Sequence, residues 1–158
     1  MKRVSNPLLR SCARGSQKGV VAVELAIVAP LFAILLIGIL DVGGMARDHQ
    51  VLQNAAREGA RFSALPTFQL DKATDRGATE AMIKSRVIAY LANENITVTD
   101  ADIALDQAYP LSVGGLTIYG SQITITYTRP LLTPGATGLI PIKSRQLRGS
   151  AVFRNFYD

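Results

Sequence analysis

Few of the 158 residues have a type and spacing that invite chemistry, and the most conspicuous is Glu24, a lone carboxylate inside an apolar run. Residues 20–40, VVAVELAIVAPLFAILLIGIL, make 21 positions with that single charge. A carboxylate in a lipid-spanning segment costs about 3 kcal/mol unless it is paired, hydrated or neutralised. Two arrangements offset the cost. One turn into a helix, Glu24 can snorkel to interfacial water. Alternatively, a cut after Gly19 would give Val20 a new ammonium group four residues before Glu24. In a packed assembly the carboxylate would then meet the amine of a neighbouring subunit. Desolvation offsets much of that attraction, so such a pair sets register between subunits rather than adding much net stability.

Other chemistry-bearing residues lack the company they need. Cys12 is the sole cysteine, which excludes an intrachain disulfide and a cysteine-based metal site. Arg10 precedes it and the apolar run follows it, the reverse of a lipoprotein acceptor. His49 is the only histidine and has no partner pattern for metal or acid–base work. Asp100, Asp102 and Asp106 have the spacing of a calcium loop. However, Leu105 and Leu111 stand where the required Gly and Glu would be, so a solvated strand edge is expected. Lys143, Arg145, Arg148 and Arg154 form a loose basic strip without the clustering of a nucleic-acid surface. Nucleophile elbows, phosphate-binding glycine loops and zinc spacings are absent from the sequence, which therefore argues for neither an enzyme nor a cofactor.

The elements that position Glu24 follow from charge and hydropathy. As a helix, residues 20–40 would be about 31 Å long, one hydrocarbon core. The chain has 17 Lys and Arg against 12 Asp and Glu, but Lys2, Arg3, Arg10, Arg14 and Lys18 all precede Val20 in a stretch without acids. The remainder is balanced, so the excess is a topology signal: the N-terminus is expected in the cytoplasm and the C-terminal part outside. A secretory signal peptide would have a shorter apolar region and a small-x-small cut site. Pro30 removes a backbone donor within the span and predicts a local kink.

The basic leader, Gly19, VVAVE (20–24), AIVAP (26–30), the aliphatic stretch, Asp41-Val42-Gly43 and NAAREGAR (54–61) together resemble the TadE-like proteins of bacterial tight-adherence (Flp pilus) systems. The resemblance spans roughly residues 15–64. It implies a pseudopilin or minor pilin whose leader a dedicated prepilin peptidase removes, with Gly19 and Val20 flanking the cut and Glu24 as the recognition glutamate. Implied partners are inner-membrane lipid, the peptidase, other pilin or pseudopilin subunits and the assembly platform; no nucleic acid is expected. The sequence departs from the Gly-Phe-Thr-Leu-x-Glu start of type II secretion pseudopilins and common type IV pilins. Shaft, tip and platform all remain open as its place, as does an uncleaved single-pass accessory protein of an envelope assembly or secretion system.

The expected architecture is a membrane-anchored α+β chain: leader 1–19, transmembrane helix 20–40, amphipathic continuation 41–65 and extracytoplasmic head 66–158. Gly43-Gly44 offers a hinge at the membrane surface. Val42, Met45, His49, Leu52, Ala56, Ala60 and Ser63 recur at helical spacing and predict the packed face. Arg47, Asp48, Asn54, Arg57, Glu58 and Arg61 predict the polar one, with Glu58 pairing to Arg61. A second helix is predicted over 74–94, with a stripe of Ile83, Val87, Tyr90 and Leu91 and a Glu80–Lys84 pair. Period-two alternation through Ile123, Ile125 and Tyr127 predicts a strand. Segments 103–108, 116–119 and 144–156 complete a small antiparallel sheet, with turns at Gly114-Gly115 and Gly120-Ser121 and a Pro/Gly-rich connection over 130–141.

Overall fold

The computed structural model describes residues 16–132 and 143–156, with side chains from Gly19 onward. Residues 1–15 of the leader, Cys12 among them, and most of the 130–141 connection lie outside these. The first element, α1, is one unbroken helix, Ser16–Ser63, of 48 residues and therefore about 72 Å long. It passes through Pro30 and through Gly43-Gly44 without a break in the helix. Its first part is exposed on nearly every side, from Val20 to Leu40, and is long and apolar enough to cross a membrane. An exposed apolar surface of that extent is foreign to a monomer in water.

Beyond residue 40 the same helix gains a buried stripe: Asp41, Asp48, Leu52, Ala55, Ala56, Gly59, Ala60 and Ser63. The lower half of the expected face is corrected here. Val42 is 62% exposed, His49 is exposed, and Asp48, expected on the polar side, is buried. Seven residues are nearly two helical turns, so Asp41 and Asp48 fall in line with Leu52 and Ala55, and a search for apolar periodicity passes over them.

Helix α2 spans Arg76–Asn93, slightly inside the predicted bounds. Asp75 caps it by accepting from the Ala78 N–H at 2.9 Å. At the other end Asn95 takes a positive φ of 61°. The Ile96 N–H reaches Leu91 O and the Asn95 N–H reaches Ala92 O. These two bonds make a Schellman closure that turns Ile96 into the core beside Leu91. Ile83, Val87 and Leu91 are its buried stripe, and Lys84 meets Glu80 at 2.8 Å, both as expected.

Strands β1 (Ile103–Val113), β2 (Leu116–Pro130) and β3 (Ser144–Arg154) form an antiparallel sheet in the order β1-β2-β3. Gly114 and Gly115, at φ 60° and 85°, make the β1–β2 turn; two successive positive φ values suit the twist of a two-residue hairpin. The turn expected at Gly120-Ser121 does not occur, and β2 runs straight through it. Gly120 pairs with both Tyr109 and Arg154, and a Cβ there would stand 2.8 Å from Leu111 Cδ1 and 2.9 Å from Phe153 O. The glycine admits close neighbours rather than a reversal. The register of β1 slips between Asp106 and Tyr109, a bulge that redirects Gln107.

Both helices cover one face of the sheet. Leu52, Ala55, Ala56 and Ala60 of α1 share a core with Ile83, Val87 and Leu91 of α2 and Ile103, Ile123 and Ile125 of the sheet. The small residues of α1 permit this three-way approach. A Cβ on Gly59 would meet Val87 and Ile123 Cδ1, the latter at 2.7 Å, and one on Gly149 would stand 2.6 Å from the Leu52 carbonyl carbon. The expected Glu58–Arg61 pairing is replaced: Glu58 Oε1 accepts from Arg86 of α2 at 3.3 Å.

Candidate functional site

Gly19, Val20 and Glu24 lie near the start of α1, all exposed and all helical. Val20, Glu24 and Ile27 follow at i, i+4 and i+7 and share one side of the helix. Side chains on a helix lean toward its N-terminus, so the Glu24 carboxylate is directed back over the turn that carries Val20. The Gly19–Val20 peptide lies within the described helix, with both residues exposed. Pro30 lies 11 residues inside that point, still helical and exposed.

A second constellation marks the point where the apolar run ends. Asp41 is 3% exposed, and its Oδ1 accepts from the Leu132 N–H at 2.9 Å. Two turns on, the Asp48 carboxylate, 5% exposed, binds the guanidinium of Arg129 from β2. Arg47 adds a further link by reaching Glu94 at the end of α2 at 3.0 Å. Gly44 lies between the two aspartates, and any Cβ there would collide with the Arg129 guanidinium. The expected hinge glycine is therefore the seat of an arginine. Arg129 was not foreseen, because one cation in a Thr-rich strand carries no local signal. The seven-residue step from Asp41 to Asp48, in line with Leu52, is the trace that points to it.

At the far end of α1 a buried polar seam joins helix to sheet. Ser63 Oγ and Ser121 Oγ are 2.6 Å apart. Gln107 Nε2 donates to Ser63 O and Phe68 O, and its Oε1 accepts from the Leu70 N–H. Asn155 Nδ2 donates to Gln107 O at 2.9 Å. Neither serine has a base beside it, since the sole histidine is exposed on another part of the helix. The seam can lock α1 to β1 and β2 but cannot activate a nucleophile.

Two of the three aspartates weighed for calcium, Asp102 and Asp106, are engaged by neighbouring backbone. Asp102 caps the short 3-10 turn Asp100–Asp102 by accepting from Thr99 N and Oγ1 at 2.8 and 2.7 Å. The backbone N–H and then the hydroxyl of Thr99 hold its carboxyl below the usual carboxylate range. Asp106 accepts from the Ala108 N–H at the bulge. Of the basic strip, Lys143, Arg145, Arg148 and Arg154 are all exposed along β3 and the residue before it.

No curated protein and no solved structure matches the chain at a significant level. One family model does, and its span covers Glu24, Pro30, Asp41, Gly44 and Asp48 while leaving Arg129 and the sheet outside. Residues 19–61 match the model described as TadE-like protein, so the helix that carries both the apolar run and the packed face is the part of the chain similar to that family.

Proposed function

We propose that this chain is a pseudopilin or minor-pilin-like component of tight-adherence pilus assembly, inserted in the bacterial inner membrane and processed by a prepilin peptidase after Gly19. The observation that carries the reading is the TadE-like match over residues 19–61, a family of pilus-associated proteins. It falls on a helix whose first half is apolar and exposed and whose second half holds the head. In this reading residues 1–19 are the leader, 20–40 the span, 41–65 the packed continuation and 66–158 the extracytoplasmic head. The cation-rich leader supports a cytoplasmic N-terminus. The exposure of Gly19 and Val20 supports access for a protease. Glu24, one turn above, is the group that a new Val20 ammonium in a neighbouring subunit would meet. The protein acts by assembling.

Intact-mass analysis of the membrane fraction, from cells with and without the peptidase, tests the processing. The expected product is a chain that begins at Val20 only when the peptidase is present. A full-length chain under both conditions would sink the processing claim and leave an uncleaved accessory protein.

A further inference from the structure

We infer that the membrane-proximal end of the sheet is a lipid-binding edge, in which Lys143 and Arg145 contact the phosphates of anionic phospholipids while Leu132 enters the interfacial layer. The inference rests on the reading that residues 20–40 span the membrane. Strand β2 runs antiparallel to α1, so the end of the sheet returns to the level at which the apolar run stops. The Leu132 N–H is fixed to Asp41, the first residue beyond the run. The Leu131 N–H donates to Lys143 O at 3.1 Å, which carries the β2–β3 pairing down to the same level. Arg145 pairs with Arg129, and Arg129 is held by Asp48, seven residues and about 10 Å along the helix from Asp41. Lys143 is two positions before Arg145, so it stands about 4 Å above the end of the span. The polar layer on each side of a bilayer is about 5–8 Å thick. Both cations are therefore within side-chain reach of the phosphates.

Charge at this end is sorted by burial. Of its acids, Asp41 and Asp48 are buried, Asp48 is committed to Arg129, and the more exposed Glu94 is paired with Arg47. Lys143 and Arg145 are exposed and make no ion pair with any described residue. Leu132 is 57% exposed, and the sequence contains no acid from residue 131 through 157. Among the described residues, the edge turned toward the bilayer is cationic with an apolar tip, the composition that binds anionic headgroups. Because the head is fastened to α1, two cations at the bilayer surface would set the tilt of helix and head together.

The test uses the full chain carrying Cys12→Ser in nanodiscs of phosphatidylcholine with or without phosphatidylglycerol. A fluorophore is placed on Ser144→Cys, Leu31→Cys or Thr117→Cys, and quenching is read from lipids spin-labelled at the headgroup or in mid-chain. The Leu31 label is expected to be quenched by mid-chain spin labels in both lipids, and the Thr117 label, at the far end, in neither. Headgroup quenching of the Ser144 label should rise with phosphatidylglycerol. It should return to the neutral-lipid value in Lys143→Glu with Arg145→Glu, with the head–surface equilibrium weakened about fivefold per cation. Unchanged far-UV circular dichroism would show that the double variant is folded. A quenched Leu31 label with a Ser144 label indifferent to phosphatidylglycerol overturns the inference and leaves the edge to an acidic protein partner. An unquenched Leu31 label overturns both the spanning helix and the edge.

Discussion

Asp48 and Arg129 are 81 positions apart in sequence, yet their pairing fixes where β2 lies along α1. The pair is shielded, with side-chain exposures of 7% and 18%, so its attraction is offset in large part by desolvation. Removing one partner is another matter, because the other then remains buried and charged. Asp48→Ala is expected to destabilise the head by about 3 kcal/mol. Asp48→Leu combined with Arg129→Met should recover most of that loss, since apolar side chains fill the space without an orphaned charge. Chemical denaturation of the detergent-solubilised protein, followed by circular dichroism, gives both values; equal losses in the single and double variants would count against the pairing. Glu24 was legible in the sequence because a carboxylate stands out in an apolar run. The aspartates were not, because exposed and buried acids look alike in sequence until the cation that neutralises one of them is placed beside it in space.

Among the elements, α2 was read almost as it stands: its stripe of Ile83, Val87 and Leu91 and its stop at Asn93-Glu94-Asn95 are local signals, set by residues that touch within a turn or two. The strands were read less well. A glycine beside a serine is a turn signal in isolation, but Gly120 serves cross-strand neighbours that the local sequence does not name. Gly149 is the sharper case, because its role lies between elements. It lets β3 approach α1 until a Cβ would touch the Leu52 carbonyl carbon and oxygen at 2.6 and 2.7 Å. Backbone atoms in the middle of a helix cannot swing aside as a side chain can. Gly149→Ala is therefore expected to cost about 2 kcal/mol through overpacking and to weaken hydrogen-exchange protection in α1 from Leu52 to Ser63 more than in α2. Equal loss of protection in both helices would place the strain elsewhere.

At the scale of the whole molecule, the packed half of α1 and the apolar half have separable tasks. Glu24 touches nothing in the head, and the helix that carries it is complete without it. Glu24→Ala is thus expected to leave membrane insertion and head stability intact and to lower pilus output, as measured by alkaline extraction of membranes beside recovery of sheared pili. Wild-type recovery would count against a register-setting carboxylate. The unbroken course of α1 has one more consequence, which is mechanical. Asp41 and Ser63 both belong to it, and the 22-residue step between them is about 33 Å of rigid rod. With the sheet fastened to that rod at Asp48 and again at Ser63, the head has no joint of its own. A span tilted by about 20°, common for helices in bilayers, carries the top of the rod about 11 Å sideways. In the proposed membrane-spanning reading the helix is a lever arm, and bilayer thickness at its foot would set where the hairpin tip meets another subunit.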